Sequence, residues 1–225
     1  MKLIFANRNY SSWSLRAWLV LRHFDIPFEE ELVLLSGDNW RENIRARSPS
    51  GRVPVLIDGD LILPETIAII EYVADCYPHK AIWPADRKLR ARARAASAEM
   101  HAGFSALRAA APMNLRTVHA GKVDLDGIAD DLARVESLWG ELLDRSGGPY
   151  LFGAFTAADA MYAPLATRLR TYALPASDTA EAYVEAIYAV PAFQEWLGEA
   201  LREPWIVEDD EIDFIRRRGQ AGGGA

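Results

Sequence analysis

Apolar residues recur along the chain with two different spacings, and the change between them divides the sequence in two. The first third alternates short apolar runs with helical spacing, which predicts a β-α-β-α-β-β-α order of elements ending near residue 76. The first two strands, joined by a helix, are expected to pair in parallel. From residue 87 onward the apolar residues lie three or four positions apart, which predicts helices alone. The pattern therefore indicates an α/β domain followed by an all-α domain.

Breaks between these patterns set the expected boundaries of elements and domains. We expect a first domain at 1–78, a linker at 79–86, an all-helical domain at 87–218 and a flexible, glycine-rich tail at 219–225. In the first domain, strands are predicted at 2–6, 26–34, 53–57 and 61–63, and helices at 11–23, 40–47 and 65–76.

The all-helical part contains two long periodic stretches and one capping signal. Apolar residues from Leu89 to Leu107 predict one face of a long helix, and 126–143 predicts another. Thr156, with Asp159 three residues later, predicts a capping box at the start of a buried helix. We expect Asp159 to be buried and to accept backbone N–H bonds.

The stretch around Val53 and Thr66 carries the strongest local signals. The turn Asp58-Gly59-Asp60 between two apolar runs predicts a hairpin. Pro54, at the start of a strand, is a candidate for a cis bond that would turn the backbone of Val53 outward, where an extended peptide could pair with it. A helix then opens at Pro64-Glu65-Thr66, where free N–H groups could bind a carboxylate. An ordinary helix start without a ligand is the alternative.

Composition excludes several classes of function. The chain has 225 residues, half of them hydrophobic, and a net charge of −7, which argues against a nucleic-acid-binding surface. Its one cysteine, Cys76, allows no internal disulfide and suits a reducing cytoplasm. No apolar run could span a membrane, and the four histidines show no metal-ligand spacing. We expect a cytoplasmic protein with no membrane, nucleic-acid or metal partner.

Together, Val53-Pro54, the hairpin and the run Glu65-Thr66-Ile67-Ala68-Ile69 resemble the glutathione-binding half of the cytosolic glutathione S-transferases. The predicted order of elements is also that of a thioredoxin-like domain. The resemblance implies that Val53, before a cis Pro54, pairs with the cysteinyl backbone of glutathione, and that Glu65 and Thr66 hold its γ-glutamyl end. It also places Trp40 and Arg52 near the glycine end; a packed tryptophan and a solvated arginine are the alternatives.

A run of hydroxyl residues, Ser11-Ser12-Trp13-Ser14, opens the first helix where redox thioredoxins carry two cysteines. Without a thiol, disulfide exchange at this position is excluded. A serine hydroxyl at a helix N-terminus can still stabilise the thiolate of a bound thiol and lower its pKa. The pattern S-S-x-S-x-R resembles the serine-type transferases of the zeta class, although Trp13 replaces the usual cysteine. By that match Ser11 faces the thiolate; Ser12 in that role, or simple helix capping, are the alternatives.

A polar stripe on the long helix suggests a second binding surface. His101, Ser105 and Arg108 are spaced at helical intervals, and in the family the equivalent helix borders the pocket for the second substrate. The resemblance therefore implies that His101 or Arg108, with Asn114 and Arg116 further on, contacts an anionic or polar co-substrate. An ordinary polar stripe explains them as well.

The function that the resemblance implies is that of a glutathione S-transferase, with glutathione as co-substrate and no metal. A serine would stabilise the glutathione thiolate for attack on a small electrophile, in a detoxifying, cytoplasmic homodimer. One alternative is a glutathione-dependent isomerase of the maleylacetoacetate type. The other is a binding or interaction module that kept the fold without catalysis.

Overall fold

A four-stranded mixed sheet forms the centre of the N-terminal part. The structure, a computed structural model, describes residues 1–215. The strands are β1 (Lys2–Ala6), β2 (Glu29–Val33), β3 (Val55–Asp58) and β4 (Leu61–Pro64), in the order β2-β1-β3-β4. As predicted, β1 and β2 pair in parallel, whereas β1–β3 and β3–β4 are antiparallel. This is the sheet of a thioredoxin-like domain.

Alternation along β1 distributes its side chains between two packed layers. Leu3 and Phe5 belong to a core shared with α1 (Ser12–His23) and α3 (Thr66–Cys76), whereas Ile4 and Ala6 pack in a smaller cluster with α2 (Trp40–Arg45). Because successive strand residues point to opposite faces, this five-residue strand supports helices on both sides of the sheet.

Three local predictions in the hairpin region differ from the structure. Asp58 pairs with Leu61, so the turn is the two-residue Gly59-Asp60; Gly59 has φ +61, which a glycine adopts without steric cost. The strand predicted at 53–57 begins two residues later, at Val55. Pro64 ends β4 instead of opening the helix, because Glu65 is the residue that caps α3.

The C-terminal part is helical, as predicted. Its helices are α4 (Arg87–Ala102), α5 (Ser105–Ala110), α6 (Ala129–Ser146), α7 (Ala157–Tyr172), α8 (Asp178–Tyr188) and α9 (Pro191–Arg202). No helix within residues 1–215 combines the length and the apolar character needed to cross a bilayer. The tail predicted at 219–225, and the predicted domain end at 218, lie outside the described residues.

The long helix predicted from Leu89 to Leu107 is wrong in one respect. It breaks after Ala102, since Gly103 is extended and Phe104 has a left-handed φ of +56. The side chain of Phe104 is buried. Packing of its ring accompanies the left-handed backbone conformation, which the neighbouring residues in the sequence do not predict.

Helix α7 is enclosed on nearly every face and contacts α1, α4 and α8. The predicted capping box at its start is confirmed. Asp159 is completely buried, and its carboxylate accepts hydrogen bonds from the backbone of Leu151 (3.0 Å) and Thr156 (2.8 Å) and from the hydroxyls of Thr156 (3.1 Å) and Tyr183 (3.1 Å). Burial raises the pKa of Asp159 to about 6 despite these donors.

Replacing Asp159 by asparagine keeps its size but directs an amide N–H group at buried donors. We expect Asp159→Asn to lower the free energy of unfolding by about 2 to 4 kcal/mol, because buried polar groups are left unpaired. Urea unfolding at about pH 8, where the wild-type carboxylate is ionised, measures the loss.

The matched control is Asp86→Asn. Asp86 caps α4 from an exposed position through the N–H groups of Lys88 and Leu89. Since asparagine is as good an N-cap as aspartate, we expect a change below about 0.5 kcal/mol. Equal losses in the two variants would contradict the special role of the buried carboxylate.

Candidate active site

A cleft between the sheet and the helices holds two adjoining cavities. We call the first, of about 630 Å³, the serine cavity because Ser11 and Ser12 line it. The second, of about 590 Å³, is the glutamate cavity, lined by Glu65 and Thr66. Trp13, Arg52, Val53 and Arg108 line both cavities, so the two are parts of one cleft.

The glutamate cavity contains the hairpin residues singled out in the sequence. The Val53–Pro54 bond is cis, as predicted, and both residues line the cavity. Glu65 has φ +86, and its carboxylate accepts bonds from the N–H groups of Thr66 (2.8 Å) and Ile67 (3.2 Å). The sequence predicted that the N–H groups at this helix start would be free to bind a ligand carboxylate. In the structure they donate to the carboxylate of Glu65 itself. Because its side chain is 47% exposed, Glu65 has room to turn away and release them.

His101 lies beside Glu65 in the glutamate cavity and does not line the serine cavity. Its Nδ1 is 3.6 Å from the Glu65 carboxylate, and its ring meets the ring of Trp13 at 5.3 Å between centroids. Arg108 donates to the backbone carbonyls of His101 (3.3 Å) and Gly103 (3.2 Å). The two residues still face one cleft, although the helix break places them on separate helices.

In the serine cavity, the hydroxyl of Ser11 donates to Ser14 Oγ at 2.7 Å, and Ser14 Oγ accepts from the N–H of Ala6 at 3.1 Å. Ser11 is the N-cap residue of α1, but its side chain makes no capping bond. The hydroxyl of Ser12 is less buried and has no hydrogen-bond partner within residues 1–215. Both hydroxyls thus lie at the positive end of a twelve-residue helix.

A buried arginine lies directly behind the serine pair. Arg16 is fully buried; it donates through Nε to Met161 O (2.8 Å) and through Nη1 to Ser12 O (3.0 Å). Its Nη2 is enclosed and has no partner within the described part of the chain. Burial first, and then repulsion from Arg168 and Arg108, hold the pKa of Arg16 well below its usual value. The charge of Arg16 adds to the helix dipole and favours an anion near the serines.

Trp13 forms the wall that the two cavities share. The Cζ atoms of Arg16 and Arg108 lie 4.3 Å and 4.9 Å from its ring centroid. Its backbone carbonyl accepts the hydroxyl proton of Thr66 at 3.2 Å. Cation–π contacts of this kind hold both guanidinium groups in place.

Comparison with known proteins agrees with this geometry. Residues 10–76 match the family model described as glutathione S-transferase, N-terminal domain. The N-terminal part of the chain is therefore similar to the glutathione S-transferases. It is 28% identical over 194 residues to a probable maleylacetoacetate isomerase of Caenorhabditis elegans, covering 83% of this chain and 87% of that protein. A maleylacetoacetate isomerase of Pseudomonas aeruginosa is 33% identical over 117 residues, which is 51% of this chain and 55% of the other.

Solved transferase structures resemble the whole fold. A glutathione transferase homologue from Burkholderia, with bound glutathione, superposes with a TM-score of 0.70 at 26% identity, covering 88% of this chain and 97% of that one. The holo structure of a maleyl pyruvate isomerase, a bacterial zeta-class glutathione S-transferase, gives 0.69 at 25% identity over 92% and 100%. Within residues 1–215 there is no cluster of three metal-ligating side chains.

Within the cleft, the structure brings most of the residues singled out in the sequence together. Trp40 and Arg52 line the serine cavity, Trp40 being half-buried and Arg52 exposed. Asn114 and Arg116 do not line either cavity. Asn114 is buried and donates to Glu211 (3.1 Å), and Arg116 donates to the hydroxyl of Tyr10 (2.8 Å). Asn114 and Arg116 hold neighbouring segments together at the edge of the cleft.

Sequence reasoning missed two charged residues of the serine cavity, Arg168 and Asp210. Arg168 is buried on α7 and donates through Nε to Ala111 O (2.7 Å) and through Nη1 to Pro164 O (2.8 Å), whereas Nη2 has no hydrogen-bond partner within residues 1–215. Burial lowers the pKa of Arg168 to about 10, so it stays charged at neutral pH. The apolar residues on both sides of Arg168, Leu165-Ala166 and Leu169, were the available signal that it is buried.

Proposed function

We propose that the protein is a glutathione-dependent transferase that activates the glutathione thiol for attack on a small electrophile carrying a carboxylate. The observation that carries the proposal is the meeting of two features in one cleft. The Val53, Glu65 and Thr66 groups of the glutamate cavity suit the backbone and γ-glutamyl end of glutathione. The serines at the start of α1 suit its thiol. The bound glutathione of the Burkholderia homologue supports this assignment.

Ser11 is proposed as the residue that faces the thiolate. Its single proton is bonded to the neutral oxygen of Ser14, and a charged thiolate is the stronger acceptor. When Ser11 turns its proton to the sulfur, the hydroxyl of Ser14 is free to donate to the Ser11 oxygen and polarise it. The positive end of α1 and the buried charge of Arg16 favour the thiolate further. Ser12 is the alternative donor.

The second substrate is proposed to be anionic because of the arginines in the serine cavity. Arg52, Arg108 and Arg168 line it, and Arg168 keeps one guanidinium nitrogen free of partners within residues 1–215. Planar guanidinium groups bind carboxylates in a bidentate manner. The alternative reaction, isomerisation by reversible addition of glutathione, takes the same class of substrate and is supported by the maleylacetoacetate isomerases among the relatives.

Assembly and location are proposed from the family resemblance. A two-fold homodimer in the cytoplasm, with a detoxifying role, is the arrangement that the resemblance implies. The single exposed thiol of Cys76 is compatible with a reducing compartment.

Glutathione binding is the first prediction of this proposal. Titration calorimetry should detect binding to the wild type, and Glu65→Ala combined with Thr66→Ala should weaken it at least about 100-fold, since charge-assisted hydrogen bonds are lost. Asp86→Ala is the control, because it removes a helix cap outside both cavities. No binding by the wild type would instead favour a module that has lost the ligand.

The role of Ser11 is tested in the glutathione complex by ultraviolet absorbance of the thiolate. Ser11→Ala should raise the pKa of the bound thiol by about 1 to 2 units, because one charge-assisted hydrogen bond to the thiolate is lost. Affinity for glutathione should change little. Ser12→Ala should have a small effect; the reverse ranking would assign the thiolate to Ser12.

Arg168 should select for a carboxylate on the electrophile. Arg168→Lys keeps the charge but loses the guanidinium fork, so KM for the carboxylate electrophile cis-acetylacrylate should rise about tenfold. KM for neutral chlorodinitrobenzene should not change. The control Arg170→Lys makes the same change two residues along α7, at a side chain exposed outside the cleft. A parallel loss for both electrophiles would contradict carboxylate recognition by Arg168.

A further inference from the structure

The serine cavity contains one acidic group among its arginines. Of its described lining residues, Asp210 alone carries a carboxylate, facing a cavity that also contains Arg52, Arg108 and Arg168. Asp210 lies on the short 3-10 turn Glu208–Asp210, close to the C-terminal end of the described chain. The thiol activation proposed above uses none of this turn.

The carboxylate of Asp210 is desolvated without being paired. Within residues 1–215 it accepts no hydrogen bond and forms no ion pair within 4 Å. Burial raises the pKa of Asp210 to about 6, and attraction to Arg168 opposes this to a smaller extent. The charged and titratable groups around it are Arg168 and Tyr172 on α7, Arg108 on α5, Arg52 before β3, Tyr10 before α1, and Asp209 and Glu211 on its own segment. Asp210 can therefore hold a proton close to neutral pH.

The segment that carries Asp210 is anchored on both sides. Glu211 accepts bonds from the hydroxyl of Tyr10 (2.6 Å) and from Asn114 (3.1 Å). Before the turn, the carboxylate of Glu203 accepts the backbone N–H groups of Arg8 (2.7 Å) and Asn9 (3.2 Å). Tyr10, the residue before Ser11, is thus hydrogen-bonded to Glu211, the residue after Asp210. This bond keeps the carboxyl group of Asp210 and the two serines in the same cavity.

We propose that Asp210 is the general acid that protonates carbon after the thiolate adds to an α,β-unsaturated carbonyl substrate, and so favours conjugation over isomerisation. This proposal rests on the glutathione-dependent function proposed above. It assigns Asp210 a role in choosing between the two reactions that the cleft supports.

The two reactions separate at one intermediate. The glutathione thiolate forms a C–S bond at the β-carbon, and the electron pair of the double bond moves to the carbonyl oxygen as an enolate. If the enolate rotates about the former double bond and expels the thiolate, the product is the isomer and no proton is gained. If Asp210 transfers its proton to the α-carbon, the C=O bond re-forms and the conjugate is complete. Asp210 then recovers from solvent the proton that the thiol released.

The test compares Asp210→Asn with the wild type, using glutathione and cis-acetylacrylate as probes. The rate of conjugate formation should fall about 100-fold, the lower end of what a positioned proton donor contributes. The rate of cis-to-trans isomerisation should be retained, so the product ratio shifts towards isomer. In the wild type, conjugation from the bound thiolate should decline as pH rises through about 6, where Asp210 loses its proton. The variant should lack that decline.

Two further variants separate catalysis from charge and folding effects. Glu208→Gln removes the same charge from the same turn at an exposed residue outside the serine cavity, and should leave product ratio and pH profile unchanged. Asp210→Glu should restore conjugation and a decline with pH. An unchanged product ratio and pH profile in Asp210→Asn, with glutathione still bound by calorimetry, would overturn the role of Asp210 alone. Failure of the wild type to bind glutathione would overturn the proposed function instead.

Discussion

Helix α7 depends on one buried carboxylate, and much of the cleft depends on α7. A helix can begin inside a protein only if the N–H groups around its first turn find acceptors. At full burial, Asp159 accepts the backbone N–H groups of Thr156, the residue before the helix, and of Leu151, and two hydroxyls complete the four donors to its two oxygens. The helix so fixed contributes the carbonyl of Met161, which holds Arg16 behind the serines, and the side chain of Arg168 in the serine cavity. The capping box of α7, in the helical part of the chain, thus helps to position the charge of Arg16 in the sheet domain.

Positive charge concentrated in the cleft contrasts with the net charge of −7 for the whole chain. Arg16 and Arg168 are buried, and both bond to backbone carbonyls; neither forms an ion pair within the described residues. Carbonyl oxygens satisfy N–H groups but do not neutralise a charge, so the lowered pKa values of Arg16 and Arg168 record the remaining cost of burial. Anionic ligands would reduce that cost, which links the stability of the arrangement to its proposed function.

Local patterns predicted the order of elements, the parallel first pair of strands, the cis bond at Pro54 and the capping box of Asp159. They failed where backbone geometry depends on distant packing. The break at Gly103 and Phe104 accompanies the burial of an aromatic ring, and Glu65 caps the helix that the sequence predicted to open at Pro64. Neither the helix break nor the capping by Glu65 changes the spacing of apolar residues along the sequence.

The sequence by itself determined which part of the chain forms the sheet domain, and which serines, hairpin residues and capping residues are candidates for a role. These depend on neighbours within a few positions, where periodicity and turn chemistry act. Only the tertiary structure decided that Trp13 lines both cavities, that Asn114 and Arg116 hold segments together, and that Arg168 and Asp210 line the same cavity as the serines. Residues about 150 to 200 positions apart meet through helix packing, and the spacing of one sequence carries no record of such contacts.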